Sequence, residues 1–293
     1  MQENALINIA LPLAIAIVMC GIGLHLRPAD FRRIADHPRS VAVGLIGHYV
    51  LLPALGFGVA WAFRMPPELA IGLVLVTACP SGNMSNTLTF LARGNVALAI
   101  SLSVISAVAT FASIPLLVHL AGQAFAGEGR AVQVPILETV RHLAGILLIP
   151  IAIGMAVRAW APALADRLGP WVGRFAIFLL ATLIGGIAIT QRAVLPAALA
   201  QAGPAVMTLC CLAIGFGYLL ARVTGLPFRD RLTVSLEVGV QNAALAILIA
   251  LSVLKSAEIA VPGALYGVLM YLPALVVVIY GRRHLRRETV TGA

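Results

Sequence analysis

Long apolar stretches alternate with short polar connections along nearly the whole chain. We count nine, each close to the length of about 20 residues that a helix needs to cross a hydrocarbon core of about 30 Å. The pattern predicts an all-α integral membrane protein with nine transmembrane helices in one domain, residues 1–293. The predicted spans are Ala5–Leu26, Ser40–Phe63, Leu69–Leu91, Val96–Gly122, Val132–Val157, Trp171–Thr190, Pro204–Ala221, Thr233–Leu254 and Ala260–Tyr280.

The composition excludes a soluble globular protein. Hydrophobic residues make up 61% of the 293 residues, charged residues make up 11%, and the mean hydropathy is +1.01. One soluble globule cannot hide so much apolar surface. The net charge of +9 does not indicate a nucleic-acid partner, because the arginines stand singly or in short groups between apolar stretches.

Basic residues concentrate in alternate connections. The segments 27–39, 92–95, 158–170 and 222–232, with the tail 281–293, contain fourteen arginines. The other connections contain four basic residues, which are Arg64, Arg130, Arg192 and Lys255. Because basic loops stay in the cytoplasm, the amino terminus is predicted to lie outside the cell and the basic tail 281–293 inside.

Two polar breaks interrupt the third and eighth spans. The first is the run Pro80–Asn86, and the second is the run Glu237–Asn242. Glu237 is the only acidic residue deep inside a predicted span. A carboxylate at that depth costs about 3 kcal/mol or more, so Glu237 is expected to face a partner or a water-filled site.

The two breaks have similar surroundings. Met65-Pro66-Pro67 precedes the first broken span and Leu226-Pro227-Phe228 precedes the second. With the predicted orientation, the third span runs inward and the eighth outward. This arrangement suggests an inverted repeat, with repeat 1 at about 5–122 and repeat 2 at about 132–280, and secondary transporters use such repeats.

The residue types in the breaks suit a hard cation. Pro80 lacks a backbone donor and Gly82 permits unwinding, so carbonyls near 79–83 are expected to turn toward a cavity. Oxygen ligands are expected from the side chains of Ser85, Asn86, Ser103, Glu237 and Gln241. The amino-terminal ends of helices that restart after the breaks are expected to receive a substrate carboxylate.

Structural explanations stand beside this one. Serine, asparagine and glutamine often only join neighbouring membrane helices by hydrogen bonds, which is an equal alternative for Ser85 and Ser103. The four cysteines fall inside predicted spans without metal-binding spacing, so we expect them to pack rather than bind a cofactor. An intramembrane enzyme using Ser81, Ser85 and His48 is a remote alternative, and a channel is another.

The residues of both breaks resemble the signature of the bile acid:sodium symporter family, and in particular bacterial homologues of the apical sodium-dependent bile acid transporter. The first run is ACPSGNMSN at 78–86 followed by LARGNVAL at 91–98, and the second is EVGVQN at 237–242 followed by VPGAL at 261–265. The resemblance implies a core with two crossed discontinuous helices, spans three and eight. It also implies a panel made of spans one, five and six.

The resemblance also implies ligand sets. One sodium ion is expected at Ser85, Asn86, Ser103 and Glu237, and a second at Glu237, Gln241 and the backbone of Val238 and Val240. Two positions depart from the family pattern: Ala99 replaces a hydroxyl of the first site, and His48 replaces a glutamine of the second. Substrate contacts are expected from Asn83, Asn242, Met270 and Tyr271.

From these observations we expect a secondary active transporter rather than an enzyme. It would import an organic anion, bile-acid-like or another small carboxylate, coupled to sodium ions by alternating access in a bacterial inner membrane. No catalytic residue, resident cofactor or nucleic-acid partner is expected. The alternative is a proton-coupled transporter of the same fold that uses His48 and Glu237.

Overall fold

The computed structural model describes residues 5–25, 38–125, 136–190 and 195–291, and the regular secondary structure in these ranges is helical. Arg27, Arg32, Arg33, Arg130 and Arg192, on which the predicted orientation partly depends, lie outside them. The helices are α1 (Ala5–His25), α2 (Pro38–Ala62), α3 (Pro67–Ala78), α4 (Asn83–Leu91), α5 (Val96–Phe125), α6 (Ile136–Trp160), α7 (Pro162–Thr190), α8 (Leu195–Val223), α9 (Phe228–Gly239), α10 (Ala243–Ser252), α11 (Ala257–Leu269) and α12 (Tyr271–Thr291).

Four helical segments within these ranges are long and apolar enough to cross a membrane by themselves. They are Pro38–Ala62, Val96–Phe125, Leu199–Val223 and Ala257–Arg286. The last of these joins α11 to α12 through Met270. The chain is therefore an all-helical, multi-pass membrane protein.

The predicted third and eighth spans are each divided into two short helices. The third consists of α3 and α4 and the eighth of α9 and α10, with the division at the predicted polar breaks. Two other helices begin well before their predicted starts, α7 at Pro162 and α8 at Leu195. The apolar runs underestimate these two helices, because Pro170 and Pro204 lie inside them and their first turns are less apolar.

The broken helices form the centre of the molecule. Every residue is buried from Leu69 to Ala78 in α3, from Leu232 to Gly239 in α9 and from Ala243 to Ala250 in α10. A helix buried on all sides has no solvent-facing or lipid-facing stripe. Helix α1 packs mainly against α6 and α7, and this group contacts the centre through α5, α10 and α11.

The same order of local structures occurs twice along the chain. Helices α2 and α8 are followed by residues with positive φ, Arg64 at 47° and Gly225 at 73°, and each lies two residues before a proline. Helices α4 and α10 are followed by Arg93 at 59° and Lys255 at 51°. A left-handed conformation costs a non-glycine residue about 1–2 kcal/mol. The two halves therefore end their helices at matching positions with the same uncommon backbone geometry.

Tyr266 of α11 is the largest of the fully buried side chains in the described ranges. Its hydroxyl donates to the carbonyl oxygen of Gly239, the last residue of α9, at 2.9 Å. The helix ends there, so this carbonyl has no partner four residues further along the chain. Tyr266 therefore satisfies a buried acceptor that the second break leaves open.

Removing this hydroxyl should lower stability. We expect Tyr266→Phe to reduce the free energy of unfolding by about 1–2 kcal/mol, because the Gly239 carbonyl loses its donor where water cannot replace it. Thermal unfolding of the purified protein in detergent measures the effect. Tyr271→Phe is the control, since Tyr271 is only half-buried. Equal stability of both variants would contradict this role for Tyr266.

Candidate functional site

The two breaks lie side by side and exchange backbone hydrogen bonds. The N–H of Gly82 donates to the carbonyl of Val240 at 3.0 Å, and the N–H of Asn242 donates to that of Pro80 at 2.9 Å. The two segments thus form a short antiparallel bridge between helices. A Cβ at position 82 would lie 3.1 Å from the carbonyl oxygen of Gln241, so glycine permits this close approach.

Protein donors also satisfy other carbonyls that the breaks release. The carbonyls near 79–83 were expected to turn toward a cavity, but those of Cys79 and Pro80 accept hydrogen bonds from within the protein. Backbone groups deep in a membrane must be satisfied internally. The side-chain donors are Ser113 to Ala78 at 2.8 Å, His48 to Cys79 at 3.0 Å and Gln241 to Val238 at 2.9 Å.

Glu237 lies in the last turn of α9, where it is the first residue of the second break, and is 2% exposed. Its Oε1 accepts a hydrogen bond from Ser85 at 2.5 Å, and its Oε2 accepts from Ser81 at 2.7 Å and Ser103 at 3.1 Å. These three donors are neutral hydroxyl groups. Within the described ranges, no basic side chain forms a salt bridge with this carboxylate. The site therefore contains a buried carboxyl group that no described basic side chain would neutralise when it is ionised.

Two predicted ligands have buried oxygens without a donor. Neither Asn86 Oδ1 nor Gln241 Oε1 has a hydrogen-bond partner among the described residues. Gln241 is 1% exposed, and its amide nitrogen folds back onto the carbonyls of Glu237 and Val238. A buried acceptor without a donor suits a bound cation or water molecule. With the Glu237 carboxylate, these oxygens fit the preference of sodium-like hard cations for oxygen ligands.

His48 lies in a π-helical turn of α2, Gly47–Leu51, and is 4% exposed. Such turns are often found at functional sites, and this one places His48 beside the first break. Its Nε2 lies 3.0 Å from the carbonyl of Cys79, so this nitrogen carries a proton and donates. The other departure, Ala99, is fully buried on α5 one turn before Ser103 and offers no polar group.

The structure describes the side chains of three of the four expected substrate contacts. Asn242 caps α10 by accepting a hydrogen bond from the N–H of Leu245 at 3.1 Å. Met270 is 3% exposed and follows Tyr266 by one helical turn, and Tyr271 beside it is half-buried. The side chain of Asn83 lies outside the described part of the structure. Helices α4 and α10 both begin at the paired breaks, and helix amino-terminal ends favour anions.

Four hydroxyl groups that surround the breaks are not among the predicted cation or substrate ligands. Ser81 binds Glu237, Tyr266 binds Gly239, and Ser106 and Ser113 lie with Ser103 on α5. The α5 serines recur at spacings of three and seven residues, which place them on one face of a helix. This periodic polar face was the signal that could have identified Ser106 and Ser113.

Comparison with known proteins reveals relatives along most of the chain. A rice protein described as "Probable sodium/metabolite cotransporter BASS2, chloroplastic" is 30% identical over 275 residues, which are 92% of this chain and 62% of the rice protein. An Arabidopsis thaliana protein described as "Probable sodium/metabolite cotransporter BASS1, chloroplastic" is 31% identical, over 87% of this chain and 62% of the relative. A Bacillus subtilis protein described as "Uncharacterized sodium-dependent transporter YocS" is 29% identical, over 94% of this chain and 83% of that protein.

The descriptions of these relatives are those of transporters and not of enzymes. This chain spans less than two thirds of the length of the two plant proteins. The model of the Sodium Bile acid symporter family matches residues 12–197, which is more than half of the chain. Together with the two motifs at the paired breaks, this match shows that the chain belongs to the Sodium Bile acid symporter family.

Proposed function

We propose that this protein is a secondary active transporter that imports an organic anion together with sodium ions. The observation on which the proposal rests is the carboxylate of Glu237, which is buried, receives only neutral hydroxyl donors and pairs with no described basic side chain. An ionised carboxylate in such a place needs a positive partner. A sodium ion from solution can supply it, and the printed names of the relatives describe sodium-dependent cotransport.

We assign two sodium sites that share Glu237. The first uses the side chains of Ser85, Asn86 and Ser103, and Asn86 Oδ1 has no competing donor among the described residues. The second uses Gln241, whose Oε1 is also without a donor, together with the carbonyls of Val238 and Val240, with His48 beside it. Those two carbonyls already accept one hydrogen bond each, from Gln241 and Gly82, and each keeps a second lone pair.

The proposed architecture is an inverted repeat of nine spans, with a core containing two crossed broken helices and a panel of α1, α6 and α7. Repeat 1 comprises about residues 5–122 and repeat 2 about 132–280. Two features support it: the matching positive-φ positions, and the exchange of one backbone hydrogen bond in each direction between the breaks. Transporters with inverted repeats bind substrate and ions where their broken helices meet.

The proposed substrate is an organic anion, either bile-acid-like or another small carboxylate. Its carboxylate would lie at the amino-terminal ends of α4 and α10, with Asn83, Asn242, Met270 and Tyr271 around it. Import is toward the cytoplasm across a bacterial inner membrane, with the amino terminus outside and the basic tail 281–293 inside. The excess of arginine in alternate connections supports this orientation.

Neutralising Glu237 tests the proposal directly. In proteoliposomes with an inward sodium gradient, Glu237→Gln should eliminate sodium-stimulated uptake, because it removes the charge that both proposed sites share. In sodium-free buffer, the free energy of unfolding of Glu237→Gln should equal that of the unchanged protein or exceed it by up to about 3 kcal/mol. The reason is that the variant no longer buries a charge without a basic partner. Thermal unfolding measures this second effect.

Glu68→Gln provides the matched control, because Glu68 lies half-buried in the first turn of α3 and away from the breaks. It should retain sodium-stimulated uptake. Unchanged sodium dependence in Glu237→Gln would reject the proposal.

A screen of organic acids by thermal shift, with and without sodium, then identifies the substrate class, since ligands that bind the folded protein stabilise it.

Replacing His48 tests the second sodium site. His48→Gln should make uptake depend more steeply on sodium concentration, because a glutamine can still donate to the Cys79 carbonyl and also offers a neutral oxygen. Uptake at graded sodium concentrations, fitted for the Hill coefficient, measures the change. Vesicles that contain the unchanged protein should show no uptake under a pH gradient without sodium. Uptake under that gradient would assign the coupling to protons instead.

A further inference from the structure

The hydroxyl of Ser81 lies among the oxygens that surround Glu237, although the family resemblance assigns it no role. Ser81 is 5% exposed, and its Oγ lies 2.7 Å from Glu237 Oε2. The same atom lies 3.2 Å from the Oγ of Ser103 and 3.3 Å from the Oγ of Ser106. Ser81 belongs to the first break, whereas both other serines lie on α5. One hydroxyl oxygen thus joins the carboxylate to the polar face of a neighbouring helix.

The available protons do not account for all of these contacts. A serine hydroxyl has one proton to donate. Ser81 gives its proton to Glu237, at its shortest contact, and Ser103 also donates to Glu237. Ser106 donates to the backbone carbonyl of Ser103 at 3.0 Å. With these donors in use, no hydroxyl proton lies between the Oγ of Ser81 and the Oγ of either α5 serine. The Oγ of Ser106 accepts one hydrogen bond, from the backbone N–H of Ser81 at 3.3 Å, and keeps a second lone pair.

Clusters of oxygens at such spacings are typical of cation coordination. A hard cation such as Ca²⁺ holds its oxygen ligands at about 2.3–2.6 Å, so two ligands at a right angle lie about 3.3–3.7 Å apart. The separation of 3.3 Å between Ser81 and Ser106 lies at the short end of that range, and that of 3.2 Å between Ser81 and Ser103 lies just below it. The Oε2 atom of Glu237 supplies the charge. The hydroxyls of Ser81 and Ser103 contact it directly, and the hydroxyl of Ser106 contacts that of Ser81.

We propose that the hydroxyl oxygens of Ser81 and Ser106 are sodium ligands in this protein, and that they replace the hydroxyl that Ala99 lacks. This inference rests on the proposed function, because it concerns the ion bound at Glu237. Ala99 lies one turn before Ser103 on the same face of α5, so the site lacks a hydroxyl at position 99 of this helix. Ser81 supplies a hydroxyl from the first break instead.

The test measures sodium binding separately from transport. The full-length variants are purified in detergent, and their thermal unfolding is followed as sodium replaces potassium at constant ionic strength. Ser81→Ala should raise the sodium concentration that gives half of the maximal stabilisation by about tenfold or more, a usual loss when a group that supports a metal site is removed. Ser106→Ala should act in the same direction, and it decides the question if Ser81→Ala does not fold.

Two further variants separate a ligand from a structural residue. Ser101→Ala is the matched control, because Ser101 is a buried serine of α5 that donates to the Ala97 carbonyl and does not contact Glu237. Its sodium midpoint should stay within about twofold of that of the unchanged protein. Adding Ala99→Ser to Ser81→Ala should recover most of the lost affinity, because the hydroxyl returns to the other side of the site.

The outcomes distinguish this inference from the proposed function. The proposed function stands if sodium stabilises the unchanged protein but does not stabilise Glu237→Gln. If, in that case, Ser81→Ala or Ser106→Ala has the same sodium midpoint as the unchanged protein, that serine is not a sodium ligand. If a serine variant unfolds at a lower temperature without sodium but has an unchanged sodium midpoint, the serine has a structural role, which also overturns the inference. If Ser81→Ala loses sodium affinity and adding Ala99→Ser does not restore it, Ser81 does not replace the hydroxyl that Ala99 lacks. If sodium does not stabilise the unchanged protein, both proposals fail.

Discussion

The satisfaction of backbone polar groups deep in the membrane is the constraint on which this structure depends. Helices α3 and α9 both stop near the centre of the molecule, where each released N–H and carbonyl must find a partner inside the protein. The breaks meet this demand by bonding to each other, from Gly82 to Val240 and from Asn242 to Pro80. Ser113, His48 and Tyr266 satisfy the carbonyls next to them. The unwound region is therefore a defined structure rather than a local loss of order.

The backbone of the two breaks is nearly symmetric, but their side chains differ. Each break donates one hydrogen bond and accepts one. Only the second brings a carboxylate, Glu237, and the first contributes the hydroxyls of Ser81 and Ser85 that contact it. The charge and most of its neutral donors thus come from opposite halves of the chain. A cation bound there would contact both halves at once.

The sequence predicted the positions of both polar breaks correctly, because a charge, a proline or a glycine is conspicuous in an apolar run. The starts of α7 and α8 were placed too late, because hydropathy does not detect helical turns that extend past the apolar run. The partners of the freed carbonyls could not be predicted. Ser113 and Tyr266 lie on other helices, and their contacts depend on packing across long sequence separations. The assignment of ligands to sodium stays a prediction.

The exchange of hydrogen bonds between the breaks also has a mechanical consequence. The two broken spans, α3 with α4 and α9 with α10, are joined by two backbone hydrogen bonds at their centres. They cannot slide past each other without breaking both bonds, and no water is available there to replace them. Helices α3, α4, α9 and α10 should therefore move as one rigid body. Displacement during a transport cycle would then be concentrated at the boundary with α1, α6 and α7, which pack against the centre through α5, α10 and α11.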